Sequence, residues 1–125
     1  MKILIPTALI ILMSITSCYY DSKEYLFPQV SSGCDTTNIT FNLSVKPILS
    51  NHCLSCHSNG TAASLGANIR LEGYADVKAR VDDGRLWGSI SHSGGFSPMP
   101  KGSSKLNDCK LTIVQKWIED GAPNN

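Results

Sequence analysis

Apolar residues crowd the start of the chain and then thin into interrupted stripes. After a single cation at Lys2, the stretch from Ile3 to Ile15 is apolar except for Pro6 and a few small or hydroxyl residues. From Tyr19 to Gly33, polar and apolar residues mix without period around Ser22, Pro28, Ser31 and Ser32, which predicts neither strand nor helix. A helical stripe follows. Val45, Ile48, Leu49, His52, Cys53 and Cys56 recur at spacings of three, four and one, as one face of a helix requires. Ser44 is the expected N-cap, and Pro47 falls in the first turn, where its missing N–H removes no intrahelical bond.

The same pattern predicts a second helix from Tyr74 to Val81, with Val77 and Val81 on one side and Asp82-Asp83-Gly84 ending it. A short third one carries Leu86, Trp87 and Ile90. Gly94 to Ser104 is dominated by Gly, Pro and Ser and reads as a loop. A last helix starts after Asn107-Asp108, places Ile113, Val114, Trp117 and Ile118 on a shared face, and stops at Gly121 ahead of Pro123. The expected class is all-α with long loops. There is no internal repeat, so a second copy of the module is not expected.

At 125 residues the chain has room for one domain. The opening apolar run is too short to span a bilayer comfortably, and Thr16-Ser17 supply small residues for a cut, which together predict an export signal. Ile15-Thr16-Ser17-Cys18 resembles a bacterial lipobox, and that resemblance implies a lipid on Cys18. The expected organisation is a signal over 1–17, a tether over 18–33 and a domain over 34–125. The expected location is outside the cytoplasm, lipid-anchored to a bacterial membrane on its periplasmic or outer surface. Removing Lys2 with the signal leaves basic and acidic side chains in equal number, so no basic face argues for a nucleic-acid partner.

Five cysteines are many for an exported chain, because oxidising compartments leave few idle thiols. Cys53-Leu54-Ser55-Cys56-His57 has the spacing of covalent haem attachment. Two thiols one helical turn apart can add to the two vinyl groups on one porphyrin edge, and the adjacent His57 can then present an imidazole nitrogen to iron. With Cys18 lipidated and Cys53 and Cys56 holding one haem c, Cys34 and Cys109 remain to pair as a disulfide, a reading from count alone. Three competing readings are weaker. Structural zinc lacks a second ligand pair at zinc spacing, a thioredoxin-like pair lacks a βαβ context, and a disulfide between neighbouring cysteines leaves His57 unexplained.

The sixth iron ligand follows by elimination. Met1 and Met13 leave with the signal, so Met99, in Ser97-Pro98-Met99-Pro100, is the one methionine of the mature chain. A methionine between prolines in a polar loop has no helical stripe to join, and His/Met ligation is a standard cytochrome arrangement. His92 is the alternative sixth ligand. His52, next to a tethered cysteine, is read as a surface or packing residue.

These residues resemble the class I cytochrome c family, and more closely its small monohaem lipoprotein forms. The likeness covers about residues 43 to 123: Val45-Lys46-Pro47-Ile48-Leu49, then Cys53 to His57, then Ser97-Pro98-Met99-Pro100, then Trp117-Ile118 before Gly121-Ala122-Pro123. The resemblance implies a cytochrome c-like fold in which the first and last helices cross around a covalent haem with one edge exposed. It places Trp117 and Ile118 at that crossing or on the haem wall, and makes Arg85, Trp87 and Lys101 candidates for the propionates. The function expected is single-electron transfer between membrane-associated redox proteins, not enzymatic turnover. The alternatives are an accessory electron-entry subunit of a larger oxidoreductase and a five-coordinate haem peroxidase or sensor. The chain departs from soluble mitochondrial cytochromes in its lipid signal, its extra cysteine pair and its lack of a lysine-rich face, so the partner rules of those proteins do not transfer.

Overall fold

The computed structural model describes residues 34–125. The predicted signal, the predicted lipidation site Cys18 and the predicted tether lie outside the described residues. Among the described residues the secondary structure is helical, with no strand, and no helix is long and apolar enough to cross a membrane.

The chain enters its first helix through a π-helical turn, Phe41–Val45, which leads without a break into α1, Lys46–His52. Thr40, not Ser44, caps this start. Its hydroxyl accepts from the Leu43 N–H at 3.1 Å, while the Ser44 hydroxyl accepts from the Thr40 N–H at 3.2 Å. Two side chains thus satisfy end groups reciprocally, in the manner of a capping box. The correction has a physical cause: the Val45 N–H reaches back five residues to the Thr40 carbonyl, and this wider turn accommodates one more residue ahead of the apolar stripe. Phe41 and Val45 are both buried as a result.

Four short helices and one longer helix follow: α2 (Leu54–His57), α3 (Ala62–Leu65), α4 (Tyr74–Asp82), α5 (Arg85–Ile90) and α6 (Asp108–Glu119). The predicted second, third and last helices are α4, α5 and α6, while α3 was not expected. Asn107 caps α6 by accepting from the Lys110 N–H at 3.0 Å. At the far end, Gly121 sits at φ 92°, its N–H bonds the Ile118 carbonyl at 3.0 Å, and the Ala122 N–H bonds the Trp117 carbonyl at 2.8 Å. This pair of bonds is a Schellman closure, which needs a left-handed residue where glycine stands.

Helices this short are not stable alone and depend on packing. The π-helical turn and α5 both pack on α6, and α4 packs on α5. Trp117 is completely buried and donates its indole N–H to the Pro123 carbonyl at 3.0 Å. The Phe41 ring lies 5.5 Å from Trp117 and meets Tyr74 edge-on at 5.2 Å. Tyr74 in turn donates its hydroxyl to the Ala122 carbonyl at 2.8 Å. On the shared face expected of α6, Val114 and Trp117 are buried and Ile113 and Ile118 half-buried. Leu111, absent from that expectation, is buried as well.

Cys34 and Cys109 form a disulfide with their Cα atoms 5.2 Å apart, closing a separation of 75 residues. It ties the segment before the first helix to the first turn of α6. In the chain-entropy description a closure of this length stabilises by about 4 kcal/mol. The double replacement Cys34→Ser, Cys109→Ser is expected to lose that amount in a denaturant titration. Wild-type protein under reductant should fall to the same midpoint, and a reductant-insensitive wild type would refute the bond's contribution.

Candidate functional site

The break between α1 and α2 places the cysteine motif. Cys53 closes α1 by donating its N–H to the Leu49 carbonyl at 2.8 Å, and its own carbonyl accepts from the N–H groups of Cys56 at 3.1 Å and His57 at 2.9 Å. One tight turn therefore carries Cys53, Cys56 and His57. All three line a cavity of about 590 Å3, within the range of roughly 300–1,000 Å3 usual for cofactor sites. Leu86 and Ile90 of α5 add apolar wall, and the loop after α5 contributes Met99 and Pro100.

His57 is held from two sides. Its ring Nδ1 lies 2.8 Å from the Ile69 carbonyl, and its own carbonyl accepts from the Leu71 N–H at 2.9 Å. A carbonyl only accepts, so Nδ1 carries the proton, and in the neutral ring the lone pair is left on Nε2. This is the second-sphere arrangement that orients a metal-binding histidine. The residue is only 9% exposed, so packing also holds the ring.

Gly66 makes that packing possible. A Cβ built there would stand 2.5 Å from the Cys56 carbonyl oxygen and 2.9 Å from His57 Nδ1, closer than real side chains come. Only a residue without a side chain lets the end of α3 lie against the back of the ring.

Cys53 and Cys56 are each half-buried and free, bonded to no other cysteine. Burial pushes the Cys53 thiol up to about 11, so it remains protonated and apolar at neutral pH. Met99 is half-buried on the same cavity. His92 is exposed and not among the lining residues; its Nε2 lies 2.9 Å from the Met99 carbonyl. His52, expected as a surface or packing residue, is half-buried and lines the cavity.

Of the three propionate candidates, Arg85 and Lys101 line the cavity, whereas Trp87 packs against the core. Trp117 lies in the core on the side of Phe41 and is not part of the wall. Sequence reasoning missed Gly66, Ile69 and Arg80. Arg80 lines the cavity and pairs with Asp83 at 2.7 Å. Every charged residue of the lining, Arg80, Arg85 and Lys101, is a cation. Among the described residues no three His, Cys, Asp or Glu side chains gather into a group that could hold an ion by themselves.

No family model matches the chain, and neither the curated proteins nor the solved structures give a match.

Proposed function

We propose that the chain is a monohaem c-type cytochrome with a cytochrome c-like fold, carrying single electrons between membrane-associated redox partners outside the cytoplasm. One observation carries the reading: a single cavity collects two free thiols at attachment spacing, a histidine whose Nε2 keeps its lone pair, and Met99. The residues fit the group. Cys53 and Cys56 would hold the porphyrin through thioethers, His57 and Met99 would ligate its iron, and Lys101, with Arg80 and Arg85 that here share Asp83, would meet the propionates. When bound, haem supplies the exchange of one electron between ferrous and ferric iron.

What the chain contributes is ligand identity, burial and position. The Ile69 carbonyl accepts a hydrogen bond from His57 Nδ1–H and so fixes the orientation of the ring, and the soft Met99 thioether would favour ferrous iron. Iron held by both His57 and Met99 would have no position left for a substrate, which favours a carrier over a peroxidase or sensor. A lipid on Cys18 would confine the search for partners to a membrane surface.

The test is expression in a host with haem-attachment machinery, followed by intact mass and a reduced pyridine haemochrome spectrum. The wild type should carry the mass of one haem that Cys53→Ala, Cys56→Ala lacks, any lipid on Cys18 being common to both. A colourless wild type weighing no more than its amino acids and any acyl groups would rule the reading out.

A further inference from the structure

Both backbone polar groups of Met99 are engaged, and one partner is a side chain. Pro98 and Pro100 carry no N–H, so this stretch offers a single donor, the Met99 amide, which bonds the Ser89 carbonyl at 3.0 Å. The Met99 carbonyl faces His92 Nε2 at 2.9 Å. His92 itself stands at φ 58°, in the left-handed region where glycine meets least resistance. An imidazole thus occupies a position whose backbone alone would favour glycine.

The other anchors of this loop lie earlier or later along it. The Ser93 N–H bonds the Gly88 carbonyl at 2.9 Å, and the Phe96 ring lies so close over Gly88 that a Cβ there would collide with it. Beyond Met99, Lys101 reaches only the Ser97 hydroxyl, at 3.1 Å. Among the described residues, His92 is the side chain that grips the Met99 peptide itself.

We propose that His92 is a positioning residue for the axial thioether, donating Nε2–H to the Met99 carbonyl and so fixing the peptide from which the sulfur reaches into the cavity. The inference rests on Met99 being an iron ligand, and it assigns His92 a role other than ligation. A loop held at both its N–H and its C=O has less freedom to swing the sulfur away from the cavity, so the ligand-free form is kept scarce.

Two variants of the haem-bearing protein test this. His92→Gly removes the imidazole without straining the left-handed backbone, and His92→Gln restores an N–H donor at similar reach. In His92→Gly the sulfur-to-iron absorption band should weaken, and carbon monoxide association and Met99 amide hydrogen exchange should each speed up by about fivefold, the equilibrium worth of one hydrogen bond. His92→Gln should return all three to within about twofold of wild type. Unchanged values in His92→Gly would overturn the inference, as would a His92→Gln as impaired as His92→Gly, because an N–H donor to the Met99 carbonyl would then not be what positions the thioether. Either result would come from protein that carries covalent haem. A wild type without it would instead overturn the proposed function, and this inference with it.

Discussion

A single methyl group at Gly66 is expected to unfold the site from behind. In Gly66→Ala the new carbon has nowhere to go, because the atoms it meets are the Cys56 carbonyl at 2.5 Å, the His57 ring at 2.9 Å and the Ala62 Cα at 3.1 Å. Two of these are backbone, so relief must come from moving α3 or tilting the imidazole off the Ile69 carbonyl. Overpacking of this kind costs about 3 kcal/mol at the upper end of its usual range, equivalent to roughly 15 °C of melting temperature for a domain of this size. Displacing the ring also uncouples Nδ1 from its acceptor, so the fraction of chains carrying haem should fall with stability. Gly60→Ala is the control, since nothing lies within 4 Å of a Cβ there. Thermal melts and haem-to-protein ratios of the two variants check the claim, and a Gly66→Ala that behaves like Gly60→Ala would show that the close approach does not exist.

Gly66 was invisible in the sequence for a reason that applies to much of the site. A glycine after Ala62-Ala63-Ser64-Leu65 reads as an ordinary helix stop, and it does close α3 by donating to the Ala62 carbonyl at 3.0 Å. Its second role depends on what lies across from it, and local sequence carries no mark of that. The helix α3 itself escaped notice because four residues cannot display an amphipathic period. Ile69 contributes a backbone carbonyl, an atom every residue type possesses. Arg80 is flanked by Ala79 and Val81 in α4, and sequence alone does not distinguish a cavity-facing arginine from a solvated one.

The legible parts were those in which the chemistry is local or arithmetic. Cys53, Cys56 and His57 are bound to one turn by covalent spacing alone, and the helices α4, α5 and α6 declare themselves through apolar stripes and strong terminators at Gly84 and Gly121. Pairing Cys34 with Cys109 needed only a count, and the disulfide forms. The start of the first helix was misplaced because the sequence pattern assumes a uniform period of about 3.6 residues. The π-helical turn breaks that period and hands the cap to Thr40.

On the proposed function, Met99→Ala is expected to leave covalent haem in place and to change everything measured at the iron. Cys53, Cys56 and His57 are untouched by the substitution, so mass and pyridine haemochrome should match wild type. Met99 is only half-buried, so truncating it should cost the fold no more than about 1–2 kcal/mol of lost apolar burial. Coordination responds far more strongly. With the thioether in place, the form with an open axial position is a minor state of about 0.1–10%. Making it the only state raises the apparent affinity for carbon monoxide by about ten- to a thousandfold, and the ferric protein should become high-spin and lose its sulfur-to-iron band. The potential should fall, because the ligand that favours ferrous iron has gone. A spectrum indistinguishable from wild type would transfer the axial role to His92, the one other histidine on this loop. The geometry argues against that outcome, since His92 points its Nε2 at the Met99 carbonyl, stands exposed and contributes nothing to the cavity wall. To ligate iron it would have to release the Met99 carbonyl that it holds at 2.9 Å.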